Sequence, residues 1–159
     1  MSARPSGPQG LRAEVSAYLR AQAVPMHAAA EAQKKWAPLV QQVMDQVNQG
    51  KNQVAALNAR AVGRQYRDVF RKAQAEAEAL RPPQPALRYQ EYMVRWMKSL
   101  VNACDALAHA PEDGKDTSFA RDVRDYLEDA RYTVVPLNDI RGRLYELASG
   151  KPPASPKKG

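Results

Sequence analysis

From Phe119 to Leu147 the positions Phe119, Val123, Tyr126, Ala130, Thr133, Leu137, Ile140, Leu144 and Leu147 follow one another in steps of four and three. That spacing keeps them on one helical face, whereas a strand would alternate every second residue. The same beat recurs three more times. Leu11, Val15, Tyr18, Gln22, Pro25, Ala29, Ala32, Trp36, Leu39 and Val43 hold one phase to about Asn48. Ala55, Ala59, Val62, Tyr66, Val69, Ala73 and Leu80 hold a second, and Met93, Met97, Leu100, Cys104 and Leu107 a third.

These seams predict four long helices, at about 10–48, 53–80, 86–110 and 118–148, joined by short turns. Helices so joined must lie beside one another and run in opposite directions. The expected fold is therefore all-α, an antiparallel up-down-up-down four-helix bundle with coiled-coil-like seams. Prolines at 25, 38 and 136 fall inside the periodic stretches without breaking their phase, so the helices are expected to be kinked there rather than ended. A break at Val24, with Pro25 opening a new helix, is the other reading of that segment.

Between the periodic stretches the breakers are specific. Gly50 suits the left-handed end of a helix, and Asn52 is the expected cap of the next. Arg81, Pro82, Pro83, Gln84 and Pro85 cannot continue a helix and form a stiff joint. Asp116 or Thr117 is the expected cap of the last helix, and Gly150 closes it. Residues 1–9 read as a disordered lead-in, 10–149 as the bundle, and 150–159 as a tail with three prolines and three lysines. Gly63 stands inside the second helix at a cost of about 1 kcal/mol relative to alanine, which close approach by a neighbouring backbone would explain. The long first helix overruns its hairpin partner, so Leu11, Val15, Tyr18 and Leu19 are expected near Leu144, Tyr145 and Leu147. Left uncovered, those turns would be a binding patch or a dimer contact.

Composition sharpens this picture in three ways. At 159 residues the chain is long enough for one domain with its own core, and 27 alanines beside a single isoleucine favour helices that approach closely. One cysteine, Cys104, excludes an internal disulfide framework. No apolar run reaches the roughly 18 residues of a membrane span, and no signal core is present near the start. A cytoplasmic setting is the expectation, although an exported chain with its signal removed would read the same way.

A formal charge of +7 suits an anionic partner, but its distribution matters more. Residues 51–85 hold seven basic and three acidic side chains, while 111–150 hold six basic and nine acidic. Arg60, Arg64, Arg67 and Arg71 are spaced four, three, four and form the candidate anion-binding face. Asp122, Asp125 and Asp129 form a matching acidic stripe on the last helix, and pairing across the bundle is the stronger reading of both.

Other chemistry-bearing residues read as structural. His27 and Glu31 share a helical face, but a pair is not a metal site, and His109 is the only other histidine. Met26, Met93 and Met97 keep core spacing, Trp36 fits the core phase, and Trp96, off the main stripe beside Arg95, reads either as a wide-stripe residue or as an exposed contact. Cys104 has no neighbouring base in sequence and reads as a buried, inert thiol. Phosphate loops, nucleophile elbows and zinc spacings are absent.

The expected function is accordingly that of a non-enzymatic interaction or scaffold protein, with no cofactor or metal, acting on a protein partner or a second copy of itself. Nucleic-acid or polyanion binding through the four arginines and the Lys157, Lys158 tail is the alternative. A small-ligand carrier with a pocket between helices is the least supported reading.

Overall fold

In a computed structural model, which describes residues 8–150, the chain folds into four helices: α1 Pro8–Asn48, α2 Asn52–Glu78, α3 Leu87–Ala108 and α4 Ser118–Ser149. A single 3₁₀ turn, Gln84–Ala86, leads into α3 and carries Pro85. The sequence stretches 1–7 and 151–159, hence most of the lead-in and of the basic tail, lie outside the described residues. Pro8 and Gln9, read as part of the lead-in, belong to α1 instead. Proline suits a first helical position because its missing N–H would have no partner there anyway.

α1 is one helix through both Pro25 and Pro38, so a separate helix opening at Pro25 is not found. Pro136 likewise lies inside α4. Between α1 and α2, Gly50 adopts φ +74°, where a side chain would be strained, and its N–H reaches the carbonyl of Val47. Asn52 opens α2 rather than capping it, and Lys51, the residue before it, makes no side-chain cap. Before α4 the capping bond comes from Asp116, whose carboxylate accepts the Ser118 N–H at 2.9 Å, while Thr117 makes none. That bond, together with the Ser118 side chain, holds the Asp116 carboxyl below its ordinary range.

Around the bundle α1 packs on α2, α2 on α3, α3 on α4, and α4 returns to α1. The core is threaded by Trp36, Phe70, Tyr89, Met93, Met97, Leu100, Leu107 and Leu137, all fully enclosed. Trp36 meets Phe70 edge to face at 5.3 Å between ring centres. Burial of such large side chains contributes roughly 1.5–3 kcal/mol each, and it is this, more than helix propensity, that fixes the segments as helices.

The α4 seam resolves into two rows. Val123, Ala130, Leu137 and Leu144 are all buried, whereas the alternate row runs from buried Phe119 and Thr133 to half-buried Ile140 and to Tyr126 and Leu147, which are exposed. A straight helix drifts about 20° per heptad against a seven-residue repeat, so only one row stays centred on the core. At the far end Val15, Tyr18 and Leu19 are buried. Tyr18 stands edge-on to Tyr89 at 6.1 Å and donates to Gln90 of α3, and Leu11 and Tyr18 also face the Leu80–Gln84 joint. The periodicity indicated neither neighbour. Arg12 lies over Gly150, which brings the start of α1 to the end of α4.

Candidate functional site

The four arginines of α2 do share one side, but three of them are drawn onto α3. Arg60 donates to the Ala110 carbonyl at 3.2 Å, satisfying a carbonyl just beyond the C-terminus of α3, where positive charge is favoured. Arg67 and Arg71 reach the same carboxylate, Asp105, at 3.5 and 3.2 Å. Arg64 is exposed and makes no hydrogen bond or ion pair among the described residues. The expected pairing with the acidic stripe of α4 is thus replaced by pairing with α3, because α2 packs on α3 and turns this edge toward it. On α4, Asp129 is taken by Arg95 at 2.6 Å and by the Ser99 hydroxyl. Arg95 first, and Ser99 second, hold the Asp129 carboxyl below its ordinary range.

A second region emerges along the seam between α1 and α4. Two clefts lie in line there. One, of about 360 Å³, has Trp36, Val40, Met44, Trp96, Leu127 and Val134 among its walls, with Gln33, Gln41 and Arg131 also lining it. The other, of about 280 Å³, lies between Gln22, Ala23, Met26, His27 and Ala30 of α1 and Arg141 and Tyr145 of α4. Among the described residues lining these two clefts none is acidic: the ionisable side chains are Arg131, Arg141, His27 and Tyr145. Trp36 is fully enclosed, and its indole N–H has no acceptor among the described residues.

The smaller cleft adjoins a buried polar network. Gln22, 2% exposed, donates to the Leu19 carbonyl at 2.8 Å and accepts from the Tyr89 hydroxyl. Gln90 accepts from Tyr18 and donates to the Ala77 carbonyl, so three helices are tied at one level. Burial, first of all, raises the Tyr89 hydroxyl to about 12, with Arg141 acting against it, and raises Tyr18 further still. Gln22 lay in the seam read from the sequence, yet its partners could not be found from spacing alone.

The signal for this region was present on α4 in Arg124, Leu127, Arg131, Val134, Asn138, Arg141 and Tyr145, spaced three, four, three, four, three, four. That row, which mixes three arginines with Leu127, Val134, Asn138 and Tyr145, was overshadowed by the stronger seam beside it. A third cleft, of about 720 Å³, lies between the start of α1 and the Leu80–Gln84 joint, and carries charges of both signs in Glu14 and Arg81.

The remaining candidates are placed as follows. Glu31 pairs with exposed Lys34 at 3.2 Å, and that bond lowers its carboxyl below the ordinary range. His27 is exposed at the rim of the smaller cleft. Among the described residues there is no cluster of three or more His, Cys, Asp or Glu disposed to hold a metal. Met93 and Met97 are fully enclosed, Met26 nearly so, and Trp96 is buried on the wide stripe of α3. Burial raises the Cys104 thiol to about 12, helped by the neighbouring Asp105 charge and opposed by Arg67. A thiol held protonated in this way is a poor nucleophile.

None of the described helices is long and apolar enough to cross a membrane. No protein-family model matches the chain, and neither a curated protein nor a solved structure matches it.

Proposed function

We propose that the protein is a non-enzymatic interaction module, an up-down-up-down bundle whose rigid body presents the α1–α4 seam to a protein partner. The residue pairs are consistent with that connectivity. Between α2 and α3, Ala77 meets Gln90 and Arg71 meets Asp105, so numbers rise on one helix as they fall on the other, and Gln46 with Asn58 and Arg95 with Asp129 fit the same course. Bends at Pro25, Pro38 and Pro136 belong to the same reading, since each removes a helical hydrogen bond.

The observation that carries the proposal is the pair of clefts between α1 and α4, where half-buried Met44, Leu127 and Val134 present apolar surface beside the enclosed Trp36 and Trp96. Concave apolar surface with a few polar groups at its rim is the usual form of a recognition site. The test is a photo-crosslinking amino acid placed at Gln41, on the cleft, and at exposed Ala75 on α2. A discrete adduct from position 41 alone, re-formed with the purified partner, supports the reading. Equal labelling at both positions, or native mass spectrometry showing a stoichiometric cofactor, overturns it.

Polyanion binding through α2 is the second reading, favoured by exposed Arg64 with half-exposed Arg71 beside it. Against it stands the engagement of Arg60, Arg67 and Arg71 by α3. Titration with duplex DNA at two salt concentrations tests it, because phosphate contacts weaken steeply as counterions compete. Binding lost in Arg64→Glu would support this reading, and no binding at low salt would remove it.

A further inference from the structure

We propose that the occupant of the α1–α4 seam is an amphipathic helix of a partner protein whose flanks carry carboxylates, with Arg131 and Arg141 as its anchors; this rests on the interaction-module reading above. Three observations converge on that chemistry. The floor of the larger cleft is apolar, while Ala30 and Ala37 on the α1 side are small enough to admit another helix. The charged groups lining the two clefts, Arg131 and Arg141, are both basic, and no carboxylate among the described residues lines either cleft. Arg131 is exposed without a hydrogen bond or ion pair among the described residues, and half-buried Arg141 donates to Asn138 and faces the Tyr89 hydroxyl, both neutral groups. Some arginines elsewhere are neutralised within the chain, as Arg95 is by Asp129 and Arg67 and Arg71 are by Asp105, while Arg64 on α2 is exposed and without a partner among the described residues.

Dimensions agree with a helical occupant. From Ala23 to Met44 the two separate clefts together extend over about 32 Å of α1, the length of some six helical turns. A helix laid in such a groove presents anchors at i, i+3, i+4 and i+7, and carboxylates beside them would meet Arg131 and Arg141 at the rim. Nucleic acid fits less well, because stacking needs free aromatic faces and Trp36 and Trp96 are both buried. A second copy of this chain is the competing occupant, since the outward stripe of α4 carries exposed Tyr132 and Val135 between Asp125, Glu128 and Asp139.

The experiment uses intrinsic fluorescence, because Trp36 and Trp96 both line the seam and the chain has no other tryptophan. The probe is a synthetic tryptophan-free helix of about 21 residues, the number that covers the seam. It carries leucine at the core positions and glutamate on both flanks, and is compared with versions bearing glutamine or lysine instead. The expected result is a saturable emission shift with the glutamate helix. Its affinity should be about tenfold or more above that of the lysine helix, the difference shrinking with salt. In Arg131→Glu/Arg141→Glu the preference should reverse, and Arg131→Gln/Arg141→Gln should bind the glutamate and lysine helices alike. Circular dichroism verifies that each variant is folded.

Equal binding of the three helices, or an unchanged preference in the charge-reversed variant, overturns the acidic assignment while leaving the seam an interaction surface. Self-association in sedimentation that disappears in Arg131→Glu/Arg141→Glu would show that a second copy fills the seam, and so overturns the proposal. Loss of the Gln41 crosslink is a different failure, that of the interaction module itself.

Discussion

The seam between α2 and α3 and the seam between α1 and α4 are built from similar helices and end in opposite states. At the first, a β-carbon placed on Gly63 would lie 2.5 Å from the Ala108 nitrogen and from the Cys104 carbonyl oxygen, so the two backbones touch. At the second, paired clefts remain open along the join. Both tolerate small residues, since Ala55, Ala59, Ala73 and Ala77 are buried on α2, while Ala30 and Ala37 line the clefts on α1. What separates them is what faces the alanines. On α3 the backbone of Cys104 and Ala108 comes up to Gly63, whereas α4 sets Leu127, Arg131, Val134 and Arg141 along the clefts.

The largest expected effect concerns the closed seam and alkaline pH. Cys104 lies in it, with a thiol raised from 9.0 to about 12 chiefly by burial. Above pH 9 the unfolded thiol ionises while the folded one stays protonated. The unfolded state then binds fewer protons, and stability falls by about 1.4 kcal/mol per pH unit until the folded thiol also titrates. Tyr89, raised from 10.0 to about 12, adds to the loss above pH 10. Urea midpoints at pH 8, 9.5 and 10.5 should fall in that order, and Cys104→Ala should remove the part that begins near pH 9. A flat profile from pH 8 to 10 would mean that the seam is open to water.

Next comes the backbone contact itself. Gly63→Ala sets a β-carbon against two backbone atoms, which must move, and overpacking of this kind costs about 1–3 kcal/mol. Roughly 1 kcal/mol of helix propensity is returned, so a net loss of stability is expected. The Cys104 thiol, enclosed in the native fold, should react faster with a disulfide reagent at pH 8 in this variant than in the native chain. Ala59→Leu makes the same point by side chain, at about 1–3 kcal/mol, because Ala59 is fully buried. Ala37→Leu in the open seam should change stability by no more than about 0.5 kcal/mol. Equal costs at the two positions would erase the distinction between the seams.

The helical beat carried most of the architecture, because burial of one face leaves its period in the sequence. Val123, Ala130, Leu137 and Leu144 were legible for that reason, and so was a close approach at Gly63, where an interior glycine demands an explanation. Partner choice was not legible. Arg67 and Arg71 have the spacing of a basic face whether they meet Asp105 of α3 or the stripe of α4, since i, i+4 spacing says which side a residue is on and not what stands opposite. Likewise Gln22 sits in phase with apolar neighbours, and only the fold brings the Tyr89 hydroxyl to it. The α1–α4 clefts were hidden for a third reason: an open seam arises from what fails to fill it, and that is a property of two helices together.

The smallest effect compares Gly63 with the other interior glycine. A β-carbon on Gly142 would meet nothing within 4 Å, and its position in α4 is exposed. No close approach among the described residues accounts for it, and α4 carries its cost without a compensating contact there. Gly142→Ala should therefore stabilise the fold by about 0.5–1 kcal/mol, through helix propensity and a less flexible unfolded chain. The midpoint of thermal unfolding should rise by about 1–4 °C. The same substitution chemistry then has opposite signs at two mid-helix glycines, and a loss of stability at position 142 comparable to that at 63 would show that something packs on the outer face of α4.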